Sequence, residues 1–66
     1  MKFSELTESQ QHNTLVAMES FGGGFIQRLA EAWMHADAGN SERLSNAFPD
    51  IVSRFGPATV FYRETT

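Results

Sequence analysis

The sequence predicts an all-α fold, a small bundle of three to four short helices with room for a short C-terminal strand. Two observations carry this. Apolar residues recur at steps of three and four between Leu15 and Phe55, the period of one face of a helix. The breaks between these runs fall at Gly22-Gly23-Gly24, Gly39, Pro49 and Gly56-Pro57, the residue types that end or restart helices. At 66 residues the chain is one domain, residues 1–66.

The first helix is expected over residues 7–21. Thr7 and Gln10 have the spacing of a capping box, in which each side chain satisfies the other's free backbone N–H. Glu8 falls in the first turn, where the helix dipole favours negative charge. Leu15, Met18 and Phe21 form its stripe, while Gln10 to Asn13 is polar on every side. The glycine triplet stops this helix, with Gly22 placed to adopt the left-handed conformation after the C-cap.

A second helix follows over 24–38, with Phe25, Ile26, Leu29, Trp33 and Ala36 on one face. Arg28 and Glu31 are three apart and can pair. Gly39 ends it, and Ser41 caps the next. Leu44, Ala47, Phe48, Ile51 and Phe55 continue the helical period, but Pro49 lacks the N–H that a helix interior needs. Proline is favoured at a first helical position. The reading is two helices, 41–48 and 49–55, with one kinked helix as the competing arrangement. The tail from Ala58 to Glu64 is β-branched and aromatic. It can form a strand that pairs with residues around Lys2-Phe3-Ser4 or with its copy in a dimer, or stay extended.

Composition narrows the function. A chain this short buries only about 60% of its unfolded surface, so its core is marginal. It has no cysteine, which removes disulfides and thiolate metal sites. Six phenylalanines, one tryptophan and one tyrosine provide the packing instead. With a net charge of −3 and its five basic residues scattered, the chain lacks the clustered cations that bind phosphates. No apolar run approaches the length of a membrane span, and Met1 to Glu5 lacks the apolar core of a signal peptide. A cytoplasmic location is expected.

No motif specifies a reaction. Glycines before a helix can cradle phosphate, but a phosphate loop follows a strand and carries Lys-Ser or Lys-Thr after its last glycine. Here a helix precedes the triplet and Phe25-Ile26 follow it. A tight corner with Phe21 and Phe25 both turned inward is expected. His12 lies four residues after Glu8, and His35 two before Asp37. They are isolated histidines on different elements, so neither a metal nor a cofactor is expected. A chain with so little core is also expected to have trouble forming a pocket of ligand size, and no catalysis is expected.

Trp33 lies on the main apolar stripe and belongs to the core. Phe61 and Tyr62 are adjacent, so in a strand one enters the core and the other is exposed. Aromatics and arginines are enriched at protein contacts. The partner-binding set is therefore Phe61, Tyr62, Arg63 and Arg43, and a protein partner with self-association into a homodimer is expected. The alternatives are a helix-turn-helix-like DNA-binding regulator, reading through Glu42, Arg43, Ser45 and Asn46, and a minor structural component of a virion.

Residues 20–57 carry Phe21-Gly22-Gly23-Gly24-Phe25, Leu29-Ala30-Glu31-Ala32-Trp33, Leu44, Ala47-Phe48-Pro49-Asp50-Ile51 and Arg54-Phe55-Gly56-Pro57. This pattern resembles small phage and prophage accessory proteins of unassigned function. The resemblance implies a protein that inhibits or redirects a host complex, host defence included, in the host cytoplasm. It implies no site residue.

Overall fold

A computed structural model describes residues 2–63. A 3-10 turn at Phe3–Glu5 leads into four helices: α1 (Glu8–Phe21), α2 (Gly23–Met34), α3 (Ala38–Ala47) and α4 (Pro49–Phe55). The fold is all-α, and the described residues contain no strand.

The N-terminus of α1 follows the capping box. Thr7 Oγ1 accepts from the Gln10 N–H at 3.1 Å, and Gln10 Oε1 accepts from the Thr7 N–H at 3.0 Å. The polar start of this helix is nevertheless not solvated all round. Asn13 and Thr14 are buried, with the Thr14 hydroxyl donating to the Gln10 carbonyl at 2.7 Å. They stay polar inside because hydrogen bonds close locally or to the tail: Asn13 Nδ2 donates to the Tyr62 hydroxyl at 3.4 Å.

The corner between α1 and α2 differs in one detail from expectation. Gly22 has φ −86° and closes α1, its N–H donating to the Met18 carbonyl at 2.9 Å. Gly23 is the left-handed residue, at φ +81°. Gly22 is instead required for space, since a Cβ there would collide with the Ile26 side chain. Two glycines thus do different work, one sparing volume and the next permitting the turn.

Helix α2 ends four residues earlier than the sequence reading places it, at Met34 instead of residue 38. The next cap is Asp37, not Ser41. The Asp37 carboxylate accepts from the Asn40 N–H at 2.8 Å, which starts α3 at Ala38 and puts Gly39 inside its first turn. An aspartate three residues before a free backbone N–H is a stronger start signal than the glycine is a stop. This shift frees Ser41 to accept from Trp33 Nε1 at 3.0 Å, satisfying the one polar atom of the buried indole. Pro49 sits at the first position of α4, so the two-helix reading of residues 41–55 is the one adopted.

The core joins the N-terminal segment, α1, α2 and α4, with Leu44 of α3 packed at its border. Phe3 and Leu6 from the N-terminal segment, Leu15, Ala17 and Met18 from α1, Ile26, Ala30 and Trp33 from α2, and Ile51, Val52 and Phe55 from α4 are buried together. Each large side chain among them contributes about 1.5–3 kcal/mol by leaving water. Helix α1 packs chiefly on α2, and Ala17 and Ala30, one from each helix, are both buried. The buried face of α2 is Ile26, Ala30 and Trp33, with Leu29 at its border.

The C-terminal strand anticipated from Ala58 to Glu64 does not form. Residues 56–62 run through turns whose bonds close locally: the Thr59 N–H donates to the Gly56 carbonyl and the Tyr62 N–H to the Thr59 carbonyl, both at 3.3 Å. The segment suggested as its partner, around Phe3, is itself a 3-10 turn, so no strand edge is offered. Glu64 lies outside the described residues.

Ala58 adopts φ +70°, the left-handed region that costs a side-chain-bearing residue about 1–2 kcal/mol. Replacing it by glycine removes that strain but loosens the unfolded chain by about 0.4–1 kcal/mol. Ala58→Gly is therefore expected to stabilise the fold by roughly 0.5–1 kcal/mol, and Gly23→Ala to destabilise it by about as much. Urea denaturation of the two variants checks both signs; the same sign for both would contradict the backbone assignment.

Candidate interaction surface

Five of the six phenylalanines gather at one end of the bundle. Helices α1 and α2 meet there at the glycine corner, with Phe21 just before it and Phe25 just after. Helix α3 returns to the same end, where Phe48 meets Phe25 with ring centroids 6.2 Å apart in an edge-on arrangement. Phe61 of the tail lies between Phe21 and Phe55, with centroids 5.4 Å and 5.2 Å away. Only Phe3 is elsewhere, stacked 4.6 Å from Trp33 toward the opposite end.

These rings are not equally covered. Phe55 is buried, while Phe48 and Phe61 are half-buried. Phe21 is 52% exposed, Phe25 65%, and the neighbouring Val60 79%. The sequence reading turned Phe21 and Phe25 inward, and the structure reverses this. Phe25 shares its helix face with Arg28 and Ala32, three and seven residues on, and both are exposed. Ile26, one position on, takes the buried place against the corner.

Charged groups border the aromatics. The Arg54 guanidinium stands 5.3 Å from the Phe55 ring centroid. Arg63 Nη1 donates to the carbonyls of Val60 and Tyr62 at 2.8 Å and 3.0 Å, which curls its side chain over the tail. Glu19 lies in the last turn of α1 and Asp50 in the first turn of α4. Arg28 pairs with Glu31 at 3.2 Å, as their spacing suggested; both ends are exposed, so the pair adds little stability.

The four partner-binding residues read from the sequence thus fall in two places. Phe61, Tyr62 and Arg63 sit together at the aromatic end, but as a folded-back cover and not a free strand. Phe61 is wedged between two rings and Tyr62 is anchored to Asn13. Arg43 stands exposed midway along α3 and joins none of the aromatic pairs. Ser45, which a DNA-reading α3 would expose, is buried.

The opposite end carries an open cleft of about 380 Å³, despite the expectation that a chain this small would struggle to make one. Its floor is Phe3, Leu15 and Trp33, and its walls include Glu8, Gln11, His12 and Met34. Gln11 spends its amide on the carbonyls of Phe3 and Leu6, and the floor rings are almost fully covered by their neighbours. A molecule placed there would touch mainly the walls. The described residues include no group of three or more His, Asp or Glu arranged to hold a metal. No helix among them is long and apolar enough to cross a membrane.

Comparison with protein-family models, curated proteins and solved structures finds no match to this chain. The described residues form a small four-helix all-α fold with one aromatic end.

Tyr62 ties the tail to α1 through the Asn13 contact. Tyr62→Phe removes that hydrogen bond, at an expected cost of about 0.5–1.5 kcal/mol in thermal or urea unfolding. A variant as stable as the parent would show that the Tyr62 hydroxyl does not help to hold the tail.

Proposed function

We propose that this chain is a non-catalytic protein-binding module and that its aromatic end is the contact surface. The exposure of Phe21 and Phe25 on either side of the glycine corner carries the reading. A 66-residue chain with a marginal core has every reason to bury two phenylalanines, each a large store of apolar surface. Leaving them in water beside Val60 marks a surface that meets another protein. Half-covered neighbours and a polar rim surround them, which is how contact anchors are commonly arranged.

The resemblance of residues 20–57 to phage and prophage accessory proteins supports a particular setting. In it, the module binds a host protein complex in the host cytoplasm and inhibits or redirects it, host defence machinery being one such target. DNA binding fits the surface less well. Glu42 precedes the exposed Arg43, Ser45 is unavailable, and the aromatic end mixes acids with bases instead of presenting a cationic field to phosphate.

A benzophenone photo-crosslinking residue at position 25 tests the reading in extract of the source cell. Adducts with a distinct protein are expected from position 25 and not from position 46, which is exposed on α3. Identical adducts from both positions, or no adduct with any other protein, would overturn it.

A further inference from the structure

The segment from Pro57 to Arg63 begins at a fixed point. Gly56 is buried, a Cβ there would run into the Val52 carbonyl, and its N–H donates to that carbonyl at 2.8 Å. Beyond it, Pro57 has no N–H to offer. The Thr59 N–H and hydroxyl both turn back to the Gly56 carbonyl, and the Tyr62 N–H turns to Thr59. Arg63 spends its guanidinium on the Val60 and Tyr62 carbonyls. These bonds begin and end within the segment or at its fixed end, so they do not fasten it across the bundle.

Its hold on α1 and α4 is carried by a ring and a hydroxyl. Phe61 lies 5.4 Å from Phe21 and 5.2 Å from Phe55 between ring centroids. The Tyr62 hydroxyl accepts from Asn13 at 3.4 Å, longer than is usual for such a bond. Against this hold stands Ala58 at φ +70°, which an L-residue enters under strain. Val60, Phe61 and Tyr62 prefer extended backbone, and an extended Ala58 would be relaxed. A segment with few apolar contacts, strained in its closed form, opens at a lower free energy than the helices beneath it.

We infer that residues 57–63 are a strap that swings on Gly56 between closed and open states while the four helices stay folded, with Phe61 as its catch. Opening uncovers Phe55, which is 1% exposed when the strap is closed, together with the side of Phe21 that Phe61 packs on. This rests on the reading of the aromatic end as a contact surface and adds its control: the strap sets how much apolar surface that end offers.

The chain has one tyrosine, in the strap, and one tryptophan, Trp33, buried in the core and stacked on Phe3 at the opposite end. Fluorotyrosine and fluorotryptophan incorporated into the full chain therefore give one fluorine NMR signal each, reporting strap and core separately through a urea titration. The Tyr62 signal is expected to reach its unfolded position at lower urea than the Trp33 signal. Its urea dependence is also expected to be shallower, because opening exposes less surface than unfolding. Phe61→Ser is expected to raise the opening constant about tenfold, from the apolar burial it removes. Ala58→Gly is expected to lower it about two- to fivefold, by relieving the closed state. In both variants the Trp33 signal keeps one cooperative transition, which shows that the helices remain folded.

Two signals that move together at every urea concentration overturn the inference, because the tail is then lost only with the core. So does a Tyr62 transition that Phe61→Ser leaves in place, since Phe61 is then no catch. Adducts captured at position 25 alongside either result leave the binding reading standing and remove the strap. Signals that move apart in a chain that captures nothing at position 25 do the reverse.

Discussion

The close approach of α1 and α2 across the Gly22–Gly23 corner is the constraint on which the remaining structure depends. Gly22 has no room for a side chain because Ile26 occupies it, and Gly23 turns the chain through a conformation that other residues enter only under strain. With the backbones brought together there, Met18 is fully covered and Ala30 disappears from the surface. Everything later in the chain packs on that hairpin. Helix α3 is fastened by the indole of Trp33 through Ser41, and α4 inserts Ile51, Val52 and Phe55 into the core.

A hairpin of two helices has two ends, and 66 residues cannot seal both. The N-terminal segment goes to one, placing Phe3 against Trp33. At the other, α4 and the tail bring Phe48, Phe55 and Phe61, but these cover Phe21 and Phe25 only in part. The same limit that makes small domains marginal thus leaves an apolar surface at a defined place. The proposed contact function rests on this shortage as much as on any particular residue.

The tail illustrates how local bonding overrides a residue's preference. Val60, Phe61 and Tyr62 favour an extended strand, yet a strand needs a neighbour to take its hydrogen bonds. Turns at Gly56 and Thr59 close those bonds within the segment, at the cost of a left-handed Ala58. Phe61 repays that cost by packing between two rings. What looked like a sticky edge became part of the cover, and the exposed apolar surface moved to the corner beside it.

The sequence by itself determined the helical class, the capping box at Thr7, the corner at the glycine triplet and the division at Pro49. It also placed Trp33, Ile51 and Phe55 in the core. These follow from local chemistry, since caps, left-handed turns and a missing N–H act over a few residues. Only the tertiary structure decided that Asp37 and not Ser41 starts α3, that Asn13 and Thr14 are buried, that Phe21 and Phe25 face outward, and that the tail folds back. Each of those depends on which neighbour arrives from elsewhere in the chain. Periodicity counts apolar residues along a helix, but it cannot say which of two adjacent phenylalanine and isoleucine side chains, Phe25 or Ile26, takes the one space the corner leaves open.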